Sequence, residues 1–158
     1  MSIESPAAET WLHPASRPES DTASQAGRAG AKAKTGGLRI LIVEDEAVIA
    51  LELEAMIEEL GHAVVAIAAS ESEAVRLSQA KHPNLILMDV RLGRGGDGIK
   101  AAQAILKAMK VSIVFCSAYA RDPGTRERME EVRPSGILSK PLIQADLKET
   151  LEQLVRPS

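Results

Sequence analysis

The sequence predicts an α/β fold made of five β-α units, a doubly wound parallel sheet with helices on both faces. Three observations predict it. Short apolar, β-branched runs alternate with stretches whose apolar residues recur at helical spacing. None of the runs alternates cleanly between apolar and polar residues, as expected of strands buried on both faces. Hydrophobic residues make up 45% of the 158-residue chain and charged residues 26%, a balance that suits a globular domain.

The elements follow in order. Ile40-Leu41-Ile42-Val43 is the first strand. Ile49, Leu53, Met56, Ile57 and Leu60 form one helical stripe, with Glu52, Glu54, Glu58 and Glu59 off it and Gly61 placed to end the helix. Val64 to Ala68 is the second strand. Ser70 and Glu73 form a capping box for a second helix, with Ala74 and Leu77 inward. Leu85 to Met88 is the third strand, and Ile99, Ala102, Leu106 and Met109 stripe the third helix. Val111 to Phe115 is the fourth strand. Asp122 and Pro123 open a weak fourth helix as N-cap and first-turn proline. Ile137-Leu138 is a short fifth strand, and Ile143, Leu147, Leu151 and Leu154 stripe the last helix. Right-handed crossovers then place helices on both faces of the sheet. The strand order expected at this length is the flavodoxin-like 2-1-3-4-5, with a site beyond the carboxyl ends of the strands. With one Trp, one Tyr and one Phe, the core must be aliphatic.

Composition excludes several classes. Nineteen basic and 22 acidic residues give a net charge of −3, so no basic excess points to direct nucleic-acid binding. The longest apolar run, Ala63 to Ala69, is far short of the roughly 20 residues of a membrane span. Met1 to Thr10 contains no apolar signal-peptide core. Cys116 is the only cysteine, so no internal disulfide can form and a cytoplasmic setting is expected.

Residues 1–37 read as a disordered leader and 38–158 as the folded domain. Ala, Ser, Gly, Thr and Pro fill 23 of the first 37 positions, leaving little apolar bulk to offset about 1–2 kcal/mol of chain entropy per residue. Trp11-Leu12-His13 could instead be a docking peptide. No internal repeat is visible.

Polar groups gather at the strand ends. Glu44-Asp45-Glu46 follows the first strand, Asp89 the third, Ser117-Ala118 the fourth and Ser139-Lys140-Pro141 the fifth. Singly, each has a structural explanation: Asp45 or Glu46 could cap the next helix, Ser117 could open a turn, and Lys140 could be solvated. Jointly, two or three carboxylates, a hydroxyl and an ammonium converge on one crevice. Clustered carboxylates repel one another, and a hard divalent cation such as Mg2+ relieves that repulsion through oxygen ligands. An ionised Asp89 is also a nucleophile able to form an aspartyl phosphate. The Lys140 ammonium, the Ser117 hydroxyl and the Ala118 backbone N–H could neutralise the transferring phosphoryl oxygens.

These residues, at separations of 44, 28 and 23 positions from Asp45 through Asp89 and Ser117 to Lys140, resemble the receiver domain of two-component response regulators over about Leu38 to Val155. The resemblance implies that Asp89 accepts a phosphoryl group from a histidine of a sensor kinase or histidine phosphotransfer protein. It implies an Mg2+ site at Asp45, Glu44, Asp89 and the backbone carbonyl of Arg91. It also implies a switch hydroxyl at Ser117, a phosphoryl-pairing lysine at Lys140 and a cis Lys140–Pro141 bond. The family often carries an aromatic residue three positions before the lysine; here it is Ile137. Tyr119 could read the site in its place, or be an ordinary loop aromatic.

Gly93-Arg94-Gly95-Gly96-Asp97-Gly98 lacks the lysine and glycine spacing of nucleotide loops and is expected to be a flexible loop near Asp89. After the last helix only Arg156, Pro157 and Ser158 remain, so a stand-alone receiver is expected, monomeric or weakly dimeric. Its output would be contact with a downstream protein through residues 123–155, or service as a phosphate sink. It would be no enzyme beyond assisting its own phosphorylation and dephosphorylation. A phosphorylation-independent binding module is the alternative. A haloacid-dehalogenase-type hydrolase would need a second Asp where Arg91 stands.

Overall fold

The computed structural model describes residues 36–155. Its order is β1 (Arg39–Val43), α1 (Ala47–Glu59), β2 (Ala63–Ala68), α2 (Glu71–Lys81), β3 (Leu85–Asp89), β4 (Arg91–Leu92), β5 (Gly96–Asp97), α3 (Gly98–Ala108), β6 (Ser112–Ser117), α4 (Pro123–Glu131), β7 (Gly136–Ser139) and α5 (Gln144–Val155). Five strands form one sheet in the order β2-β1-β3-β6-β7, every pair parallel. This is the flavodoxin-like order 2-1-3-4-5. Residues 1–35, which include Trp11-Leu12-His13 and nearly all of the segment expected to be a leader, lie outside the described residues.

The unbroken apolar runs are explained by two cores. Ile40 and Ile42, Leu85 and Leu87, and Val114 and Cys116 pack on one face with Ala50, Leu53 and Ile57 of α1 and Leu147 and Leu151 of α5. Leu41 and Val43, Ile86 and Met88, and Ile113 and Phe115 pack on the other with residues of α2, α3 and α4. Successive side chains point to opposite faces. Each of β1, β3 and β6 therefore supplies both cores, and their central positions are all apolar.

The helix ends mostly follow the sequence. Gly61 stands just past α1 at φ +94°, where the left-handed backbone favours glycine. Ser70 Oγ accepts from Glu73 N–H at 3.2 Å. The reciprocal bond is displaced by one residue, because the Glu73 carboxylate accepts from Ala69 N–H at 2.8 Å. Asp122 caps α4 by accepting from Thr125 N–H at 2.9 Å.

Three expectations need correction. Glu46 occupies the N-cap of α1 without a side-chain cap bond, so capping does not explain that acidic run. Ile143 precedes α5 and is 59% exposed; its helical spacing is continuous with Leu147, but it lies one residue outside the helix. The glycine stretch is no structureless loop. Arg91–Leu92 pairs antiparallel with Gly96–Asp97 in a small ribbon turning through Arg94 and Gly95, both at positive φ.

Candidate functional site

The strand ends assemble the crevice. Backbone bonds fix the approach of each side chain. Glu44 N–H donates to the Ala68 carbonyl at 2.9 Å, and Lys140 N–H donates to the Ser117 carbonyl at 3.0 Å. The Lys140–Pro141 peptide bond is cis. Lys140 Nζ donates to Glu44 Oε2 at 2.7 Å and to Asp89 Oδ2 at 3.0 Å. Glu44 Oε1 accepts from Glu46 N–H at 3.1 Å, and Asp89 Oδ1 accepts from Arg91 N–H at 3.4 Å.

Carboxylate oxygens of Glu44, Asp45 and Asp89 lie within 4.8 Å of one another. Two like charges at that separation repel by roughly 3–4 kcal/mol at an effective dielectric of 20. Burial pushes the Glu44 carboxyl above its ordinary range, and the nearby Asp89 charge adds to this; bonds from Lys140 and Glu46 N–H oppose it without cancelling it. Burial works against the Lys140 ammonium, but its hydrogen bonds to Glu44 and Asp89 outweigh that effect and hold its pKa above the usual lysine value. One ammonium thus ties two of three carboxylates, while Asp45 is exposed. This donor set of hard oxygens with surplus negative charge fits a divalent cation.

A cavity of about 690 Å³ opens over these groups, lined by Asp45, Asp89, Arg91, Ala118, Tyr119 and Lys140 among others. The β4–β5 ribbon forms one wall. It closes on Asp45 so tightly that a Cβ at Gly93 would lie 2.8 Å from Asp45 Oδ2. The Arg91 guanidinium stacks 3.7 Å above the Tyr119 ring centroid, a cation–π contact at the cavity mouth.

Ser117 is placed differently from the other candidates. It is buried at the end of β6, and its Oγ accepts from Tyr119 N–H at 2.9 Å. It does not line the cavity, whereas Ala118 does. Cys116 is a core residue whose thiol burial pushes up to about 12, too high for reactivity. Sequence reasoning missed Gly98. A Cβ there would sit 1.8 Å from the Asp89 carbonyl oxygen, so only glycine lets α3 begin against the end of β3. Its signal was the last glycine of the 93–98 stretch, placed directly after a cap-forming aspartate.

Comparison with known proteins identifies the family. The model of the response regulator receiver domain matches residues 40–152. The chain belongs to the response regulator receiver family. It is 40% identical over 115 residues to the phyllosphere-induced regulator PhyR of Methylorubrum extorquens, covering 72% of this chain and 42% of PhyR. It is 36% identical over 120 residues to the transcriptional regulatory protein PdtaR of Mycobacterium tuberculosis, covering 74% of this chain and 56% of PdtaR. The receiver thus spans about half the length of these relatives. Among solved structures, the receiver domain of Erythrobacter litoralis PhyR superposes with TM-score 0.66 at 32% identity, covering 78% of this chain and 97% of that one. The response regulator domain of Thermotoga maritima CheB shares the fold, with TM-score 0.70 at 21% identity, covering 77% and 98%. No helix among the described residues is long and apolar enough to cross a membrane.

Proposed function

We propose that this receiver is a phosphorylatable switch in which Asp89 accepts a phosphoryl group from a phosphohistidine of a sensor kinase or phosphotransfer protein. The observation that carries the reading is the Glu44–Lys140–Asp89 bridge beside Asp45. It sets two buried carboxylates, Glu44 and Asp89, against one ammonium suited to phosphoryl oxygens. Glu44, Asp45, Asp89 and the Arg91 carbonyl would hold Mg2+, whose charge would offset that of the incoming phosphoryl oxygens.

This chain's own groups account for the rest. The Asp89 carboxylate attacks phosphorus, the histidine nitrogen leaves, and an acyl phosphate forms. Lys140 then exchanges part of its bonding from the Asp89 carboxylate to the phosphoryl oxygens. Ser117 Oγ gives up the Tyr119 N–H and turns toward the same oxygens, joined by the Ala118 N–H. That rearrangement would shift the balance between two surfaces around α4, β7 and α5. Output would pass to a downstream protein or consist of draining phosphate from a shared kinase, in a cytoplasmic setting consistent with the lone buried Cys116. Arg91 and Tyr119 would set the lifetime of the acyl phosphate by covering the route of water. Arg91→Ala and Tyr119→Ala should each hydrolyse faster than wild type; unchanged autodephosphorylation in both would remove them from this role.

Intact mass after incubation with acetyl phosphate and Mg2+ tests the proposal. Wild type should gain one phosphoryl group, and Asp89→Ala or wild type with chelator none. If beryllofluoride with Mg2+ also left the wild-type protein unperturbed, the phosphorylation-independent binding module would replace this reading.

A further inference from the structure

Outside the acceptor cluster, three elements converge on Asp97. Its backbone N–H donates to the Glu71 carboxylate at the start of α2. Its Oδ1 accepts from Ile99 N–H at 2.9 Å and Lys100 N–H at 3.3 Å, capping α3. Its Oδ2 accepts from Arg128 Nη2 of α4 at 2.6 Å. The next residue is Gly98, whose N–H donates to the Val90 carbonyl at 2.8 Å and whose Cα is pressed against the Asp89 carbonyl. A continuous set of contacts therefore runs from Arg128 through Asp97 and Gly98 to the backbone of Asp89.

An exposed ion pair of this kind is ordinarily weak. Its setting gives it more weight here. Met129 is the only buried residue of α4, so few other contacts fix where that helix sits. Arg128 and Thr125 also line the acceptor cavity with Asp97. The position of α4 and the position of the acceptor are thus read at a single side chain. With Ile137 where an aromatic relay would stand, a second path to α4 has a use.

We infer that Arg128 is a positioning residue for Asp89, acting through the Asp97 cap and Gly98, and that this tether couples α4 to the acceptor. The inference rests on the proposed phosphorylation for its function and on the contacts above for its geometry. Coupling is reciprocal. Loosening α4 must loosen the acceptor end of β3, and filling the acceptor site must alter α4.

The test uses the full chain with Arg128→Gln, Arg128→Lys and Asp97→Asn, the last retaining a good capping side chain. Amide hydrogen exchange is the first readout. Arg128→Gln should speed exchange roughly tenfold at Gly98, Ile99 and Lys100 as well as in α4, and Arg128→Lys should restore most of it. Acceleration confined to α4, or none, would overturn the inference. The second readout is the midpoint for beryllofluoride in saturating Mg2+. It should rise about fivefold in Arg128→Gln and in Asp97→Asn, and no further in the double variant. Additive effects, or none, would contradict a shared path. A wild-type protein that ignored beryllofluoride would instead overturn the proposed phosphorylation, and with it any function for the tether, whatever the exchange pattern.

Discussion

Helix α4 and the Asp97 cap of α3 border the same cavity, and the two helices are anchored very differently. Helix α3 buries Gly98, Ile99, Ala101, Ala102 and Ile105 and is capped by two bonds to Asp97. Helix α4 buries Met129 alone, and its Arg126 is spent on Glu130 of its own next turn at 2.9 Å. One helix is part of the core; the other is held at the surface by one buried apolar residue, the Arg128–Asp97 ion pair and a 3.4 Å bond from Arg126 to the Ala120 carbonyl. Local stability follows buried apolar contact. The edge of the sheet at Asp89 is therefore rigid on the α3 side and yielding on the α4 side.

Three substitutions sharpen or break that contrast. The largest effect belongs to α3. Ile105→Ala removes a fully buried side chain and should cost about 3 kcal/mol in urea unfolding; a cost below about 1 kcal/mol would mean that α3 is not a core helix. Gly98→Ala should follow, at about 2 kcal/mol, because its Cβ must displace the Asp89 carbonyl by more than the structure can absorb elsewhere. It should also impair beryllofluoride binding, and retention of both stability and binding would contradict the close approach.

The smallest effect is electrostatic. Burial opposes the Asp97 charge, but bonds from Arg128, Lys100 N–H and Ile99 N–H outweigh it, so its folded pKa lies below the ordinary 3.8. A depressed carboxylate contributes stability that is present above the unfolded value and lost as pH falls through the folded one. Wild type should therefore lose part of its stability below pH 3.8. Asp97→Asn should lose less over the same interval, by up to about 1 kcal/mol. Parallel acid-unfolding profiles for the two proteins would show that Arg128 holds no charge there.

Much of this was legible in the sequence because it depends on local pattern. The strands are unbroken apolar runs because both of their faces are covered, and Asp122, Ser70 and Gly61 mark helix ends through their own backbone chemistry. The acidic run, Asp89, Ser117 and Lys140 could be placed because each ends a strand. Side-chain pairing across the fold was not legible. Nothing in the spacing says that Lys140 bridges Glu44 and Asp89, that Ser117 turns back on Tyr119 N–H, or that Arg128 reaches Asp97 from 31 residues away. The β4–β5 ribbon escaped notice because its two-residue strands are too short for any period. Ile143 misled because helical spacing persists past a helix end.

If the proposed function holds, the bridged carboxylate at the end of β3 becomes an acyl phosphate. Borohydride trapping followed by peptide mass mapping reads this out, since reduction cleaves an acyl phosphate and converts the aspartate that carried it to homoserine. After acetyl phosphate and Mg2+, homoserine should appear at position 89 in wild type and not when Mg2+ is chelated. Conversion at Asp45 or another carboxylate, or the same yield at Asp89 without metal, would contradict it.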